Sequence, residues 1–242
     1  MVRATKLLWR VLCATLLIAS TAPCAAAEEL VLLTEENIPY NHTDRASGQV
    51  TGIVTDVVRL LMERTGTTYR IEMQSWARAF NRAQAERNTC VFATNRTPER
   101  EAQFSWVPLL TGGWTIFTLK DRPLAVGTVD EARQHPILVV AGGALEADLK
   151  QQGFDVISTS GENIVRMMER GRANLAAMGA FDGAWRAKAA GVPLAPLFRL
   201  RDITVALACS RSTSPDLIDA LNKAADKSRR DGEMDKILDR YR

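Results

Sequence analysis

A chain of 242 residues, 46% hydrophobic and 24% charged, has the makeup of a globular protein long enough for one large domain or two of roughly 100 residues each. Its 31 Lys and Arg exceed its 28 Asp and Glu by the three basic residues (Arg3, Lys6, Arg10) that precede Ala27, a stretch with no acid, so the remainder is neutral. A neutral body has no basic stripe for nucleic acid or a membrane surface, and two histidines in separate segments, His42 and His135, do not make a metal site.

In chain order, those three basic residues flank and precede the apolar run "VLCATLLIAS", which is followed by "TAPCAAA". This pattern predicts a cleavable secretory signal peptide over 1–27, cut after Ala27 and too short in its apolar core to span a membrane. A lipid anchor on Cys24 is the alternative, although Pro23 stands where a small residue is wanted. Export removes Cys13 and Cys24 and leaves Cys90 and Cys209. An exported pair permits a disulfide, and two buried free thiols in strands fit the residues equally well.

"LVLLT" (30–34) reads as a buried strand, and 52–66 as a helix with Ile53, Val57, Leu60 and Leu61 on one face and Gly66 as its stop. "TYRIEM", "WARAFNRAQAER" and "TCVFAT" follow as strand, helix and strand, an order that implies a parallel sheet with crossover helices. After "FSWVPLLTGGWTIFTL" a second series begins with "PILVVAGG" and "ALEADLKQQG", continues through "FDVIS" and "GENIVRMMERG", and closes with "NLAAMG" and "FDGAWRAKAAG". The chain finishes with the strand "DITVALACS" (202–210) and two helical stretches, the first capped by Ser214 with Pro215 as its first helical residue. Two α/β units in tandem suggest two lobes.

Three pieces carry a resemblance when taken together in this order: "EENIPYN" with "GQVTGIVTDVVRLLMERTG", then "ATNRTPEREAQFSWVPLL", then "LIDALNKAADKSRRDGEMDKILDRYR". With them the chain resembles the periplasmic solute-binding proteins of ABC importers, of the polar amino-acid-binding kind (bacterial extracellular solute-binding family 3). The resemblance implies an α/β fold of the two-lobed type II kind, each lobe a mostly parallel sheet flanked by helices, with two hinge crossings. Lobe 1 would hold residues 28–112 and 203–242, and lobe 2 residues 113–202. It further implies a periplasmic monomer that captures a small molecule in the interlobe cleft, closes by hinge motion and delivers its cargo to a membrane permease. No cofactor, metal, nucleic acid or covalent chemistry is expected.

By the same resemblance, the arginine three residues after Thr97, Arg100, grips a ligand carboxylate, with Thr97 beside it. An arginine suits this role because its planar fork donates two parallel charge-assisted hydrogen bonds, where lysine offers a point charge. Arg96 is expected at the rim; the plain alternative for Arg100 is a solvated pair with Glu99 or Glu101. Asn95 is placed at the ligand's polar end, and Tyr40 and Trp76 on its flanks, with ordinary packing as the alternative for both aromatics. Arg78 is a candidate for a second acidic group or a solvated helix residue. Gly143 and Ala144, at a strand-to-helix junction, offer backbone N–H groups to an anion or form a tight turn. Ser160 and Asn163 fit a helix cap first and a ligand contact second.

Amino-acid binders of the family carry an aspartate near the position of Met178 and Gly179 for the ligand's α-ammonium, and the nearest acid here, Asp182, is three residues late. It either reaches round to the ligand or serves the first turn of its helix. The expected ligand is therefore a small carboxylate-bearing metabolite, amino acids and derivatives included, ahead of other polar compounds. The resemblance also places "DITVALACS" antiparallel to "TCVFAT", so Cys90 and Cys209 are expected to pair. A periplasmic enzyme of the cyclohexadienyl dehydratase type is the rival reading, with Asp182 or Glu36 as the general acid; a ligand-presenting sensor component is another, with no fused module expected in this chain.

Overall fold

The computed structural model describes residues 29–241, so the expected signal peptide and the Cys24 alternative lie outside the described residues. The first half begins with β1 (Leu30–Thr34), every residue of which is buried, followed by a short hairpin of β2 (His42–Thr43) and β3 (Val50–Thr51). Helix α1 (Ile53–Thr65) buries Ile53, Val54, Val57, Val58, Leu61 and Met62 on one stripe and stops at Gly66, whose φ of 63° is the left-handed conformation glycine adopts without penalty. Then come β4 (Tyr69–Met73), α2 (Trp76–Ala85), β5 (Thr89–Arg96) and a 3-10 turn over Pro98–Gln103. The 15-residue strand β6 (Ser105–Leu119) leads into the second half.

That half contains α3 (Val129–Ala132), β7 (Ile137–Val140), α4 (Ala144–Gln151), β8 (Val156–Thr159), α5 (Ile164–Glu169), β9 (Leu175–Gly179) and α6 (Ala180–Ala190). The 16-residue β10 (Leu194–Cys209) returns to the first half, which α7 (Pro215–Arg230) and α8 (Glu233–Asp239) complete. Sequence reading began this strand at 202; Pro193 and Pro196 obscured its first half, and the ladder shifts register between Pro196 and Phe198, where a missing N–H is tolerated. The four-residue α3, held by a capping box of Thr128 and Glu131, and the β2–β3 hairpin were too short for periodicity to reveal.

The main sheet runs β4-β1-β5-β10-β6-β9-β7-β8. β1 pairs parallel with β4 and β5, and β7 parallel with β8 and β9, while β6 and β10 pair antiparallel along their length from Leu119 opposite Leu194 to Ser105 opposite Cys209. The two long strands serve both halves: Val107, Leu109, Leu207 and Cys209 belong to the core under α1 and α7, and Trp114, Ile116 and Ile203 to the core beneath α4. Cys90 and Cys209 stand directly opposite each other on β5 and β10 and are joined by a disulfide.

Candidate functional site

Parallel strands point their carboxyl ends the same way, and ligands of α/β sheets bind outside those ends. Here the two halves turn them toward a shared cavity of about 920 Å³. Glu35 follows β1, Asn95 is near the end of β5, Ala141 to Gly143 follow β7, Ser160 follows β8 and Gly179 ends β9, and all line this cavity.

Arg100 enters from the 3-10 turn, which Pro98 opens and in which the Arg100 N–H donates to the Thr97 carbonyl at 3.0 Å. Its guanidinium carbon lies 5.4 Å from the centre of the Trp76 ring and 5.1 Å from that of Phe80. Nη1 reaches the Asn95 carbonyl only at 3.5 Å, and among the described residues no carboxylate forms an ion pair with Arg100. Burial pulls its pKa below the usual arginine value, opposed by the charge of Glu99. Arg96 differs: Nε donates to Glu101 Oε2 at 2.8 Å, the guanidinium covers Trp106, and the residue does not line the cavity. One arginine is thus occupied by a neighbour, and the other is held by aromatic faces in the cavity wall.

Tyr40 is fixed by a tight segment in which Asn37 and Asn41 bridge each other and the Ile38–Pro39 peptide is cis. Gly52, at φ 123°, lets α1 start against this segment, since a Cβ there would meet the Tyr40 carbonyl oxygen at 2.5 Å. The phenol crosses to the other half: its oxygen would lie 2.9 Å from a Cβ on Gly179 and sits beside Asp182. Burial of that oxygen, and then the Asp182 charge, push the phenol pKa up, while part of the ring remains open to the cavity.

Asp182 sits in the first turn of α6, lines the cavity and is 7% exposed. Its carboxyl is pushed up to about 6, chiefly by burial, with Arg186 opposing. Oδ1 lies 2.6 Å from Nε of Arg186, one turn later on the same helix, although the Nε–H does not point along that line and neither atom makes a hydrogen bond. Arg186 Nη2 donates across the cleft to the Ile38 carbonyl at 2.9 Å. The halves therefore touch through both Tyr40 and Arg186. Glu35 also lines the cavity, and burial without a cationic partner pushes its carboxyl up to about 7. Glu36 lines the cavity as well but is exposed there, and its Oε1 accepts the Thr43 N–H at 3.0 Å.

Several expected contacts fall elsewhere. Arg78 is exposed on α2 and does not line the cavity, because the helical period sends Ala79 and Ala83 into the sheet and turns Arg78 to solvent. Thr97 is buried and lines a second pocket with Arg96 and Arg201; toward the cleft it contributes only the carbonyl that orders Arg100. Gly143 and Ala144 do line the cavity, but the N–H of Gly142 beside them already donates to Glu146 Oε2 at 2.5 Å, so the helix start carries an anion of its own. Asn95, Tyr40, Trp76, Arg100 and Asp182 are all brought to the cavity. Glu35 and Arg186 were missed. The Asp182–Arg186 spacing was a readable sign of a pair; Glu35, a single residue past a strand, gave none.

The model of the bacterial extracellular solute-binding proteins, family 3, matches residues 30–242. The chain belongs to that family. No curated protein matches it. Among solved structures, a histidine kinase sensor domain with similarity to periplasmic binding proteins is 17% identical, with 88% of this chain and 96% of that one covered at a TM-score of 0.76. The amino acid ABC transporter substrate-binding protein AbpA of Streptococcus pneumoniae, bound to L-arginine, is 18% identical, covering 88% and 94% at a TM-score of 0.73. The ancestral amino acid-binding protein AncCDT-1, a precursor of cyclohexadienyl dehydratase, is 20% identical, covering 88% and 95% at 0.73. The fold is accordingly the two-lobed type II arrangement of this family, and the cavity is its interlobe cleft.

Proposed function

We propose that the protein is a periplasmic monomer that captures a small carboxylate-bearing metabolite in the interlobe cleft and delivers it to an ABC importer, without cofactor or catalysis. The observation that carries this reading is the state of Arg100: half-buried, braced by Trp76 and Phe80, facing the cavity and lacking a carboxylate partner among the described residues. A desolvated guanidinium gains from a bidentate carboxylate. Tyr40 and Trp76 supply apolar surface beside it. A thermal-shift panel of small carboxylic acids against the matching primary amides tests this: some acids should raise the melting temperature and their amides should not, while amides equal to acids would contradict it.

A second reading has one observation in its favour. Glu35, held near 7 in the cleft, has the protonation equilibrium a general acid needs at neutral pH, and AncCDT-1 is described as a precursor of cyclohexadienyl dehydratase. Release of phenylpyruvate from prephenate, abolished in Glu35→Gln, would establish it.

A further inference from the structure

The buried lobe 2 acid of the cleft, Asp182, already has a cation, while Glu162, which also lines the cavity from lobe 2, is exposed to solvent. Asp182 and Arg186 are 7% and 8% exposed and lie 2.6 Å apart at their nearest ionic atoms. They belong to one helix at a spacing of four residues, so the pair is built into α6 and does not wait for a ligand. Arg186 is further confined on two sides. Its Nη2 holds the Ile38 carbonyl of the opposite lobe at 2.9 Å, and its guanidinium lies against Gly161, where even a Cβ would come within 2.6 Å of Nη1. To release Asp182, the guanidinium would have to leave this slot and break an interlobe contact.

A ligand ammonium seeking Asp182 would therefore share one buried carboxylate with a guanidinium. Two cations on one buried carboxylate leave a positive charge without a buried counter-ion where solvent is scarce, which disfavours binding of an ammonium there. A hydroxyl, a keto oxygen or an acylated nitrogen brings no such charge. The cleft also has apolar walls, among them Leu110, Trp114, Phe181 and Val205, which suit an uncharged body. Of the other acids lining the cleft, Glu36 and Glu162 are exposed, where water screens them, and Glu35, on lobe 1 after β1, is pushed up to about 7 by burial and compensates a cation only in part.

We infer that the cleft selects carboxylates whose α-substituent is uncharged, such as 2-oxo, 2-hydroxy or N-acylated acids, over free α-amino acids. This rests on the reading of Arg100 as the carboxylate clamp.

The test is titration calorimetry of the wild-type protein with three matched sets: glutamate, 2-oxoglutarate and N-acetylglutamate; leucine, 4-methyl-2-oxopentanoate and N-acetylleucine; phenylalanine, phenylpyruvate and N-acetylphenylalanine. In at least one set the 2-oxo or N-acetyl acid should bind ten-fold or more tightly than its amino acid. A smaller preference in every set, or a reversed one, overturns the inference and leaves the carboxylate reading standing. Absence of binding by all nine acids overturns both. In Arg186→Gln, which frees Asp182, the ratio of amino acid to N-acetyl affinity should rise ten-fold or more; an unchanged ratio in the folded variant removes Arg186 as its cause. The wild-type panel decides alone if that variant does not fold.

Discussion

Replacing Arg100 with alanine removes a half-buried cleft guanidinium that has no carboxylate partner among the described residues, whereas Arg45, which also lines the cavity unpaired, is exposed to solvent. With it gone, a bound carboxylate is left desolvated and unpaired in the closed cleft, and truncating one partner of such a buried charge pair costs about 2 to 5 kcal/mol, or about 30- to several-thousand-fold in affinity. The fold should survive, since Arg100 is tied to Trp76 and Phe80 by cation–π interactions that contribute about 0.5–1 kcal/mol each at partly exposed sites. Arg96→Ala is the matched control: its side chain is engaged with Glu101 outside the cavity, and surface pairs contribute about 0–1 kcal/mol to stability and nothing to a ligand they do not touch. Arg100→Lys should recover part of the affinity, because it restores charge without the fork. Titration calorimetry with the tightest-binding acid of the panel reads all three. Equal affinities for Arg100→Ala and the parent would refute the clamp and the ligand class with it.

Reduction of the Cys90–Cys209 disulfide, which closes a separation of 119 residues, should lower stability by about 5 kcal/mol in the chain-entropy model, read by urea denaturation with and without reductant; two alkylatable thiols in the untreated exported protein would contradict the bond. Gly179→Ala puts a methyl 2.9 Å from the Tyr40 hydroxyl, so it should hinder closure, weakening ligand binding while little altering the melting temperature, and small-angle scattering should show a more open particle. Glu35 is raised from 4.5 to about 7 by burial, so the folded protein keeps a proton that the unfolded chain releases. Its contribution to stability is complete below about 4.5 and declines as pH rises through about 7; Asp182, raised from 3.8 to about 6, acts in the same direction. Glu35→Gln should flatten the fall in ligand-free stability across that window, and an unchanged pH profile would argue against a desolvated Glu35.

The apolar stripe of α1 and the fully buried β1 were legible because their cores are local patterns: a 3.6-residue period and a short continuous run. Arg100 was legible only through resemblance, since a bare arginine between two glutamates reads as a surface residue; what frees it is that Glu101 turns to Arg96. The first half of β10 was hidden by prolines that an antiparallel ladder accommodates at a register shift. Arg78, a further candidate for an acidic group with a solvated helix face as its alternative, is turned to solvent by the phase of α2, while Arg100 on the 3-10 turn lies over two rings. The Asp182–Arg186 spacing was visible in the sequence, but its burial depends on Tyr40, Ile38 and Gly161, residues from two distant segments that only the folded chain brings together.

Native mass spectrometry of the freshly purified exported protein, beside the same protein after unfolding and refolding, tests capture most directly. The account predicts a small carboxylic acid retained on the first sample and absent from the second, which on return at a hundredfold excess over Kd stabilises the protein by about 2.7 kcal/mol. A protein that retains no small molecule, and whose melting temperature no acid in a broad metabolite panel raises, would contradict it.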